Sequence, residues 1–199
     1  MLKRRITRQS LIAYVGLIAI AAASARDERP SLHWGVLVSR SDGSQVEWHD
    51  HGAELRNGEL VISREDLNKM DFRRNGLAEV IVQDHGWYYV NRNGKSLSVI
   101  TFDNGADYFA EGLTRSKIGG KISYFDRNFN QFIPPKYDWG WPFENGKALV
   151  CNGCRETPRD SDGHSRMIGG QWGYIDKKGK EIVPVTLTED EALRRLKKE

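Results

Sequence analysis

The sequence has few of the residues that mark disulfide-rich scaffolds or nucleic-acid-binding proteins. It contains two cysteines in 199 residues, and two cysteines cannot form a framework of several disulfides. Lysine and arginine exceed aspartate and glutamate by only 30 to 27, and four of the basic residues lie within the first eight positions. Residues 26–199 therefore hold 26 basic and 27 acidic side chains. This balance argues against a broad basic surface for nucleic acid.

The sequence also lacks the short motifs that indicate an enzyme. It contains no phosphate-binding loop, no Gly-x-Ser-x-Gly elbow, no His-Glu-x-x-His helix and no dinucleotide fingerprint. Disorder is a poor fit as well, because 20 aromatic residues are spread along the chain. The sequence therefore gives no reason to predict catalysis or a cofactor, and it favours a folded, non-catalytic protein.

The first 25 residues have the three parts of a secretory signal peptide. Four basic residues precede an uncharged apolar run at residues 11–23, and Ala23-Ser24-Ala25 offers a small-x-small cleavage site. A membrane-spanning helix needs roughly 20 apolar residues, so the shorter run favours cleavage between Ala25 and Arg26 over a permanent anchor. We expect a periplasmic or secreted protein that meets the membrane only during export.

Three segments of the remaining chain superimpose without gaps. They are residues 87–95, 122–130 and 172–180. Each has an aromatic-apolar pair, then Asp or Asn, then a basic residue and a turn. Phe109-Ala110-Glu111-Gly112 also lies 34 residues before Phe143-Glu144-Asn145-Gly146. Because several blocks recur at shared offsets, they predict tandem units of short strands and tight turns, in which the aromatic side chains pack between units and share a common interior.

These repeats resemble the bacterial WG-repeat family. The family unit has a Trp-Gly-Tyr-Ile-Asp core, a Gly-Lys turn, a Pro-Pro-x-Tyr-Asp segment and a Phe-x-x-Gly ending, which residues 172–180, 134–138 and 143–146 match. The first two units depart from it, since Tyr88 or Ser123 replaces the Gly and Ile122 replaces the Trp. The resemblance implies an all-β fold of tandem antiparallel hairpins or meanders. It carries over no catalytic residue.

The chain accordingly divides into four predicted parts. These are a signal peptide at residues 1–25, an N-terminal β capping region or degenerate repeat at 26–75, three repeats at 76–187 and a C-terminal helix at 188–199. Thr188 and Glu191 have capping-box spacing at the start of the helix. We expect this helix to cover an open sheet edge, because an exposed edge invites pairing with another chain.

The third repeat carries an insert at residues 151–170, and its first four residues are Cys151-Asn152-Gly153-Cys154. A local disulfide between the cysteines is the default interpretation in an oxidising compartment. Two alternatives stay open at this point. Cys151, Cys154 and His164 provide three of the four ligands that a structural zinc site needs, and Cys-x-x-Cys is also the spacing of redox-active pairs.

The enlarged insert is the best candidate for specificity, because long loops on a repeat scaffold tend to carry binding. The candidate binding residues are Arg155, Glu156, Asp160, Asp162 and His164 in the insert, with Trp139 and Trp141 before it. The leading hypothesis is a non-catalytic module that binds an envelope protein, a peptide or a cell-wall component. One alternative is carbohydrate binding by Trp139 and Trp141 as exposed aromatics. The other is a metal-binding protein or metal-dependent hydrolase that uses His49 and His51, on one face of a strand, or the cysteine loop.

Overall fold

The structure is a computed structural model that describes residues 32–40 and 43–196. The predicted signal peptide and its cleavage site lie outside this part of the chain. Within the described residues, every strand pair is antiparallel and the helices are two short ones. This confirms the predicted all-β fold. No helix among the described residues is long and apolar enough to cross a bilayer.

The N-terminal part consists of two hairpins and a helix. Its elements are β1 (Trp34–Arg40), β2 (Gly43–His49), β3 (Ala53–Arg56), β4 (Glu59–Ile62) and α1 (Arg64–Lys69). The Oγ atom of Ser63 accepts a hydrogen bond of 3.1 Å from the backbone nitrogen of Asp66 and caps α1. The buried Trp34 begins β1. The prediction that this part is either a degenerate repeat or a separate β capping region stays a prediction.

Three antiparallel meanders follow along the chain. Repeat 1 contains β5 (Leu77–Val82), β6 (Gly86–Asn91) and β7 (Ser96–Val99), and the short strands β8 (Thr101–Phe102) and β9 (Gly105–Ala106) lead out of it. Repeat 2 contains β10 (Thr114–Ile118), β11 (Lys121–Phe125) and β12 (Gln131–Tyr137). In the sheets, β5 also pairs with β1, so that the first sheet has the order β2-β1-β5-β6-β7. The predicted aromatic motif forms the middle strand of both repeats.

Repeat 3 is interrupted by the insert. Its elements in chain order are β13 (Trp139–Gly140), β14 (Lys147–Asn152), the insert strands β15 (Arg155–Glu156) and β16 (Met167–Ile168), then β17 (Gln171–Asp176), β18 (Glu181–Leu187) and α2 (Glu189–Leu196). The sheet order is β13-β14-β17-β18, so the strands that flank the insert are neighbours. The insert therefore leaves the meander and returns to it without breaking the sheet.

The same turn ends the middle strand of each repeat. There the side-chain oxygen of an Asn or Asp accepts hydrogen bonds from the backbone amides two and four residues later. The acceptors are Asn91, Asp126 and Asp176, and the bonds measure 2.8–3.0 Å. The residue three positions after each acceptor has a positive φ. Glycine adopts this conformation easily, as at Gly94 and Gly179, whereas in repeat 2 the residue is Phe129, with φ 62°. The recurring Asp or Asn is thus a turn residue.

Each meander buries both faces, because side chains alternate along its middle strand. In repeat 1, Trp87 and Tyr89 pack towards repeat 2, and Tyr88 and Val90 pack towards the N-terminal part. The interior is divided into four apolar clusters, one at each junction from the N-terminal part to α2. The prediction of one interior common to all repeats is therefore wrong, since each sheet separates its two neighbours. The predicted packing of aromatics between units is confirmed.

The C-terminal helix packs against repeat 3 on the side where a further repeat would otherwise lie. Thr188 and Glu191 form the predicted capping box, with 2.9 Å from the Thr188 amide to Glu191 Oε2. Ala192 is fully buried in the cluster that contains Trp172 and Tyr174 of the middle strand. The helix therefore packs on a face of the repeat 3 sheet, against β17 and the edge strand β18. That it also protects the edge of β18 stays a prediction.

A buried ion pair joins the repeats. Asp107 and Arg115 are each 1% exposed, and Asp107 Oδ2 accepts hydrogen bonds from the Arg115 backbone nitrogen at 2.7 Å and from its Nε at 3.1 Å. The Arg115 Nη1 donates to the carbonyl oxygen of Gly140 at 2.9 Å. The Tyr89 hydroxyl donates to the carbonyl oxygen of Asp107 at 2.8 Å. Groups from repeats 1, 2 and 3 thus meet at one charge pair.

We expect Asp107→Asn to destabilise the protein by about 3–5 kcal/mol, because it leaves the Arg115 cation buried without its counterion. Urea unfolding measures this. Lys69→Ala, which removes an exposed ion pair with Glu65, is the control and should change the unfolding midpoint little. The double variant Asp107→Leu with Arg115→Met should regain stability over Asp107→Asn. Equal midpoints for Asp107→Asn and the control would contradict the prediction.

Candidate functional site

The base of the insert is closed by a disulfide. Cys151 at the end of β14 and Cys154 are bonded, with their Cα atoms 6.1 Å apart. This confirms the structural interpretation of the two cysteines. Because the sulfur atoms are bonded to each other, neither is a thiolate for metal binding or redox attack in this state.

The insert is a hairpin, although its sequence predicts only a loop. Arg155 and Glu156 pair with Ile168 and Met167. At the tip, Asp160 Oδ1 accepts hydrogen bonds from the amides of Asp162 at 3.0 Å and His164 at 2.9 Å. This is the turn that ends each middle strand. The bond from His164 does most to lower the pKa of Asp160, so Asp160 serves the turn.

A second set of interactions, which we call the Asp138 tie, holds the base of the insert against the segment that precedes it. Asp138 Oδ2 accepts a hydrogen bond of 2.7 Å from the Gly153 amide, and Asp138 Oδ1 lies 2.6 Å from the Lys121 Nζ. The Lys121 ammonium first, and the Gly153 amide next, lower the pKa of Asp138. A Cβ at Gly170 would lie 2.4 Å from the Cys154 nitrogen, so the two arms of the insert approach closely only with glycine there.

Trp139 and Trp141 lie beside this base, on the segment that contains β13. Their rings are perpendicular, with centroids 6.1 Å apart. Gly140 between them pairs with Val150 and must be glycine, since a Cβ would lie 2.3 Å from the Tyr124 hydroxyl oxygen. Both tryptophans are partly buried, so the expectation that they stand exposed is wrong. Trp139 packs against the apolar clusters on both faces of repeat 3, and Trp141 packs against the cluster that repeat 3 shares with α2.

Two cations lie over the Trp139 ring. The Lys117 Nζ is 5.4 Å and the Arg115 Cζ 5.5 Å from its centroid. The Trp139 Nε1 is buried and has no hydrogen-bond partner in the described part of the chain. An indole N–H that is buried usually donates a hydrogen bond. The Trp139 ring is thus a cation-binding surface with an unused donor.

The insert and the tryptophans enclose one cleft of about 590 Å³, which we call the insert cleft. Of the predicted binding residues, Trp139, Trp141, Glu156 and His164 line it. Arg155, Asp160 and Asp162 do not line it. Sequence reasoning missed other lining side chains, among them Phe102, Lys117, Arg159 and Arg166. Phe102 and Lys117 come from segments far from the insert in sequence, so only the fold brings them to it.

The cleft has a mixed electrostatic character. Lys117, Arg159 and Arg166 contribute three positive charges, against two negative charges from Asp103 and Glu156. Glu156 also accepts a hydrogen bond from the Ser165 hydroxyl. The aromatic wall and the excess cation together suit a ligand that has an apolar group next to an anionic one.

Of the histidines of the metal alternative, His49 is engaged through its ring and His51 through its backbone. The His49 ring stacks on Trp34 with centroids 4.5 Å apart, and the carbonyl oxygen of His51 accepts a hydrogen bond of 2.9 Å from the Trp34 Nε1. Within residues 32–40 and 43–196, no group of three or more His, Cys, Asp or Glu side chains is placed to hold a metal ion. The geometry gives no support to a metal centre at His49 and His51 or at the cysteines.

Comparison with known families gives a match to the WG containing repeat over residues 122–153 and 172–189. Both matched segments start at or beside the middle strand of a repeat, and the insert hairpin lies between them. The match confirms the resemblance predicted from repeats 2 and 3. Comparisons with curated proteins and with solved structures give no significant match.

The Asp138 tie predicts a pH dependence of the insert. Because folding lowers the pKa of Asp138, its carboxylate stabilises the folded state above the unfolded-state pKa, and this contribution is lost as the pH falls through the folded-state pKa. We expect the hydrogen-exchange protection factor of the Gly153 amide to fall over that acidic range. Asp138→Asn should remove the dependence, and Asp162→Asn, at an exposed carboxylate of the same insert, should keep it. A profile unchanged by Asp138→Asn would contradict this assignment.

Proposed function

We propose that this chain, which carries WG containing repeats at residues 122–153 and 172–189, is an exported, non-catalytic module that binds a peptide segment of an envelope protein in the insert cleft. The repeats supply a rigid scaffold, and the insert hairpin is the part of repeat 3 outside the matched segments. Loops that project from such a scaffold commonly carry its binding function.

The single observation that carries the proposal is the insert cleft itself. The disulfide and the Asp138 tie hold the hairpin at its base, so the cleft is preformed and binding costs little ordering entropy. Its wall combines Phe102, Trp139 and Trp141 with cations on the rim. Tryptophan and arginine are the residues most enriched among binding hot spots.

A peptide is favoured over a glycan because the tryptophan ring faces are already in contact with other side chains. A sugar ring stacks on an open aromatic face, but the Trp139 ring is already within cation–π distance of Lys117 and Arg115. Trp141 makes edge contacts with Trp139 and with Phe102, whose centroid is 6.4 Å away. Carbohydrate binding therefore stands second.

Export is supported by two independent features. The signal-like sequence at residues 1–25 predicts secretion. The Cys151–Cys154 disulfide fits an oxidising compartment, because disulfides persist in the periplasm and outside the cell and are rare in the cytosol. We therefore propose that the protein works in the periplasm or after secretion.

Selection of random displayed peptides on the purified protein tests the binding proposal. We expect ligands with an aromatic or aliphatic side chain next to Asp or Glu. Lys117→Glu should weaken them several-fold through charge reversal at the rim, and replacing residues 160–166 by a Gly-Ser linker should abolish binding. Lys178→Glu, an equal charge change outside the cleft, is the matched control.

Two results would contradict the proposal. One is selected peptides that bind the linker variant as tightly as the parent protein. The other is no peptide ligand together with a change of tryptophan fluorescence on adding cell-wall glycan fragments, which would favour the carbohydrate alternative.

Expression of the full chain in a bacterium tests export. We expect the protein in the periplasmic or medium fraction, with Arg26 as its first residue and no alkylatable thiol. Gly16→Arg places a charge in the apolar run and should retain the precursor, while Gln9→Arg adds the same charge outside that run and should be exported. An unprocessed, cytosolic parent protein would overturn the proposal.

A further inference from the structure

A tyrosine recurs at the fourth position of each middle strand. The first two copies each bind a segment of the same chain. Tyr89 donates to the Asp107 carbonyl at 2.8 Å, and its ring packs on Phe109 with centroids 5.1 Å apart. Tyr124 donates to the Trp141 carbonyl at 2.8 Å, and its ring packs on Phe143 at 5.0 Å. Each tyrosine thus receives a backbone carbonyl followed, two residues later, by phenylalanine.

The third copy, Tyr174, receives no such segment from the described part of the chain. After β18 the chain turns into α2, which places the small Ala192 in the same cluster as Tyr174. The Tyr174 hydroxyl makes no hydrogen bond to any residue that the structure describes. Burial, and secondarily the Glu144 carboxylate, raise the pKa of Tyr174, so the hydroxyl stays protonated and able to donate.

Tyr174 lines an open pocket of about 900 Å³, which we call the Tyr174 pocket. Its other walls include Trp141 and two exposed side chains, Tyr108 at 50% and Leu193 at 39%. Glu144, Glu189 and Lys147 also line it and give a net charge of −1. The pocket therefore has an apolar wall, a hydrogen-bond donor and a weakly acidic rim.

We propose that the Tyr174 pocket binds an extended, neutral or basic segment of a partner protein that presents a backbone carbonyl followed two residues later by phenylalanine. The Tyr174 hydroxyl donates to that carbonyl, as the hydroxyls of Tyr89 and Tyr124 do within the chain. The phenylalanine packs on the Tyr174 ring beside Leu193. This site shares the side chains of Phe102 and Trp141 with the insert cleft, but it includes Tyr174 and Leu193, which do not line that cleft. It does not depend on the function proposed for the insert cleft.

The acetylated, amidated peptide of residues 140–143, Gly-Trp-Pro-Phe, is the probe, because it reproduces the segment at Tyr124 and carries no charge. Titration into the full chain, followed by backbone amide NMR, should give saturable shifts in β17 and α2. Tyr174→Phe should weaken the affinity about two- to tenfold, the range of one hydrogen bond. The Phe143→Ala version of the peptide should not bind measurably.

Three further variants test whether the peptide binds in the Tyr174 pocket and not elsewhere on the protein. Tyr89→Phe removes a hydroxyl that already donates within the chain, so the folded protein should keep its affinity. Leu193→Arg, at an exposed position, should block the peptide without unfolding the protein. The linker variant of residues 160–166 should bind normally. Absence of saturable shifts, shifts confined to the insert, or equal affinity for Tyr174→Phe and the parent protein would overturn the proposal.

Discussion

The structure depends on one constraint, which is that each three-stranded meander has two apolar faces and cannot bury both by itself. An isolated two-stranded hairpin is at best marginally stable in water, and small sheets gain stability by packing an apolar face against a neighbour. Here the face that carries Trp87 and Tyr89 is covered by repeat 2, and the face that carries Tyr88 and Val90 is covered by the N-terminal part. Stability therefore resides in the junctions between neighbours, as in other linear repeat arrays.

This constraint explains why both ends of the array differ from its middle. The last repeat has no following meander among the described residues, and α2 covers its outer face through Ala192. A helix with one apolar stripe closes the series, because its opposite side is polar and needs no neighbour. Since alanine is smaller than the phenylalanines at the earlier junctions, the closure is less complete beside Tyr174. The Tyr174 pocket is a consequence of ending a repeat array with a helix.

The constraint also accounts for the buried charge pair. Asp107 and Arg115 lie where the chain crosses from one repeat to the next, and such crossings bring backbone carbonyls into an apolar interior. Unsatisfied carbonyls there would cost free energy. The Arg115 guanidinium donates to the Gly140 carbonyl, and the Tyr89 hydroxyl donates to that of Asp107. Arg115 and the Tyr89 hydroxyl thus satisfy two backbone carbonyls at the crossings between repeats.

Much of the fold could be predicted from the sequence because its signals are local. The structure contains the turns that follow residues 91, 126 and 176 and the helix caps at Ser63 and Thr188. Each of these features depends only on residues that are neighbours in sequence. The junctions could not be predicted in detail. The sequence indicates that aromatics pack between repeats, but only the strand alternation decides which neighbour each one meets.

The candidate site follows the same division between local and long-range information. The insert and its disulfide are visible in the sequence as excess length and a Cys-x-x-Cys, and Asp160 lies in the same turn that the repeats use. Lys117 is separated from Trp139 by more than twenty residues, and nothing local marks it as a partner of that ring. A binding surface on a repeat protein is assembled from successive units, so its members carry no common motif. The residues that make a repeat recognisable in sequence are therefore those that pack its core. The residues that give the protein its binding specificity lie at positions outside the repeat motif.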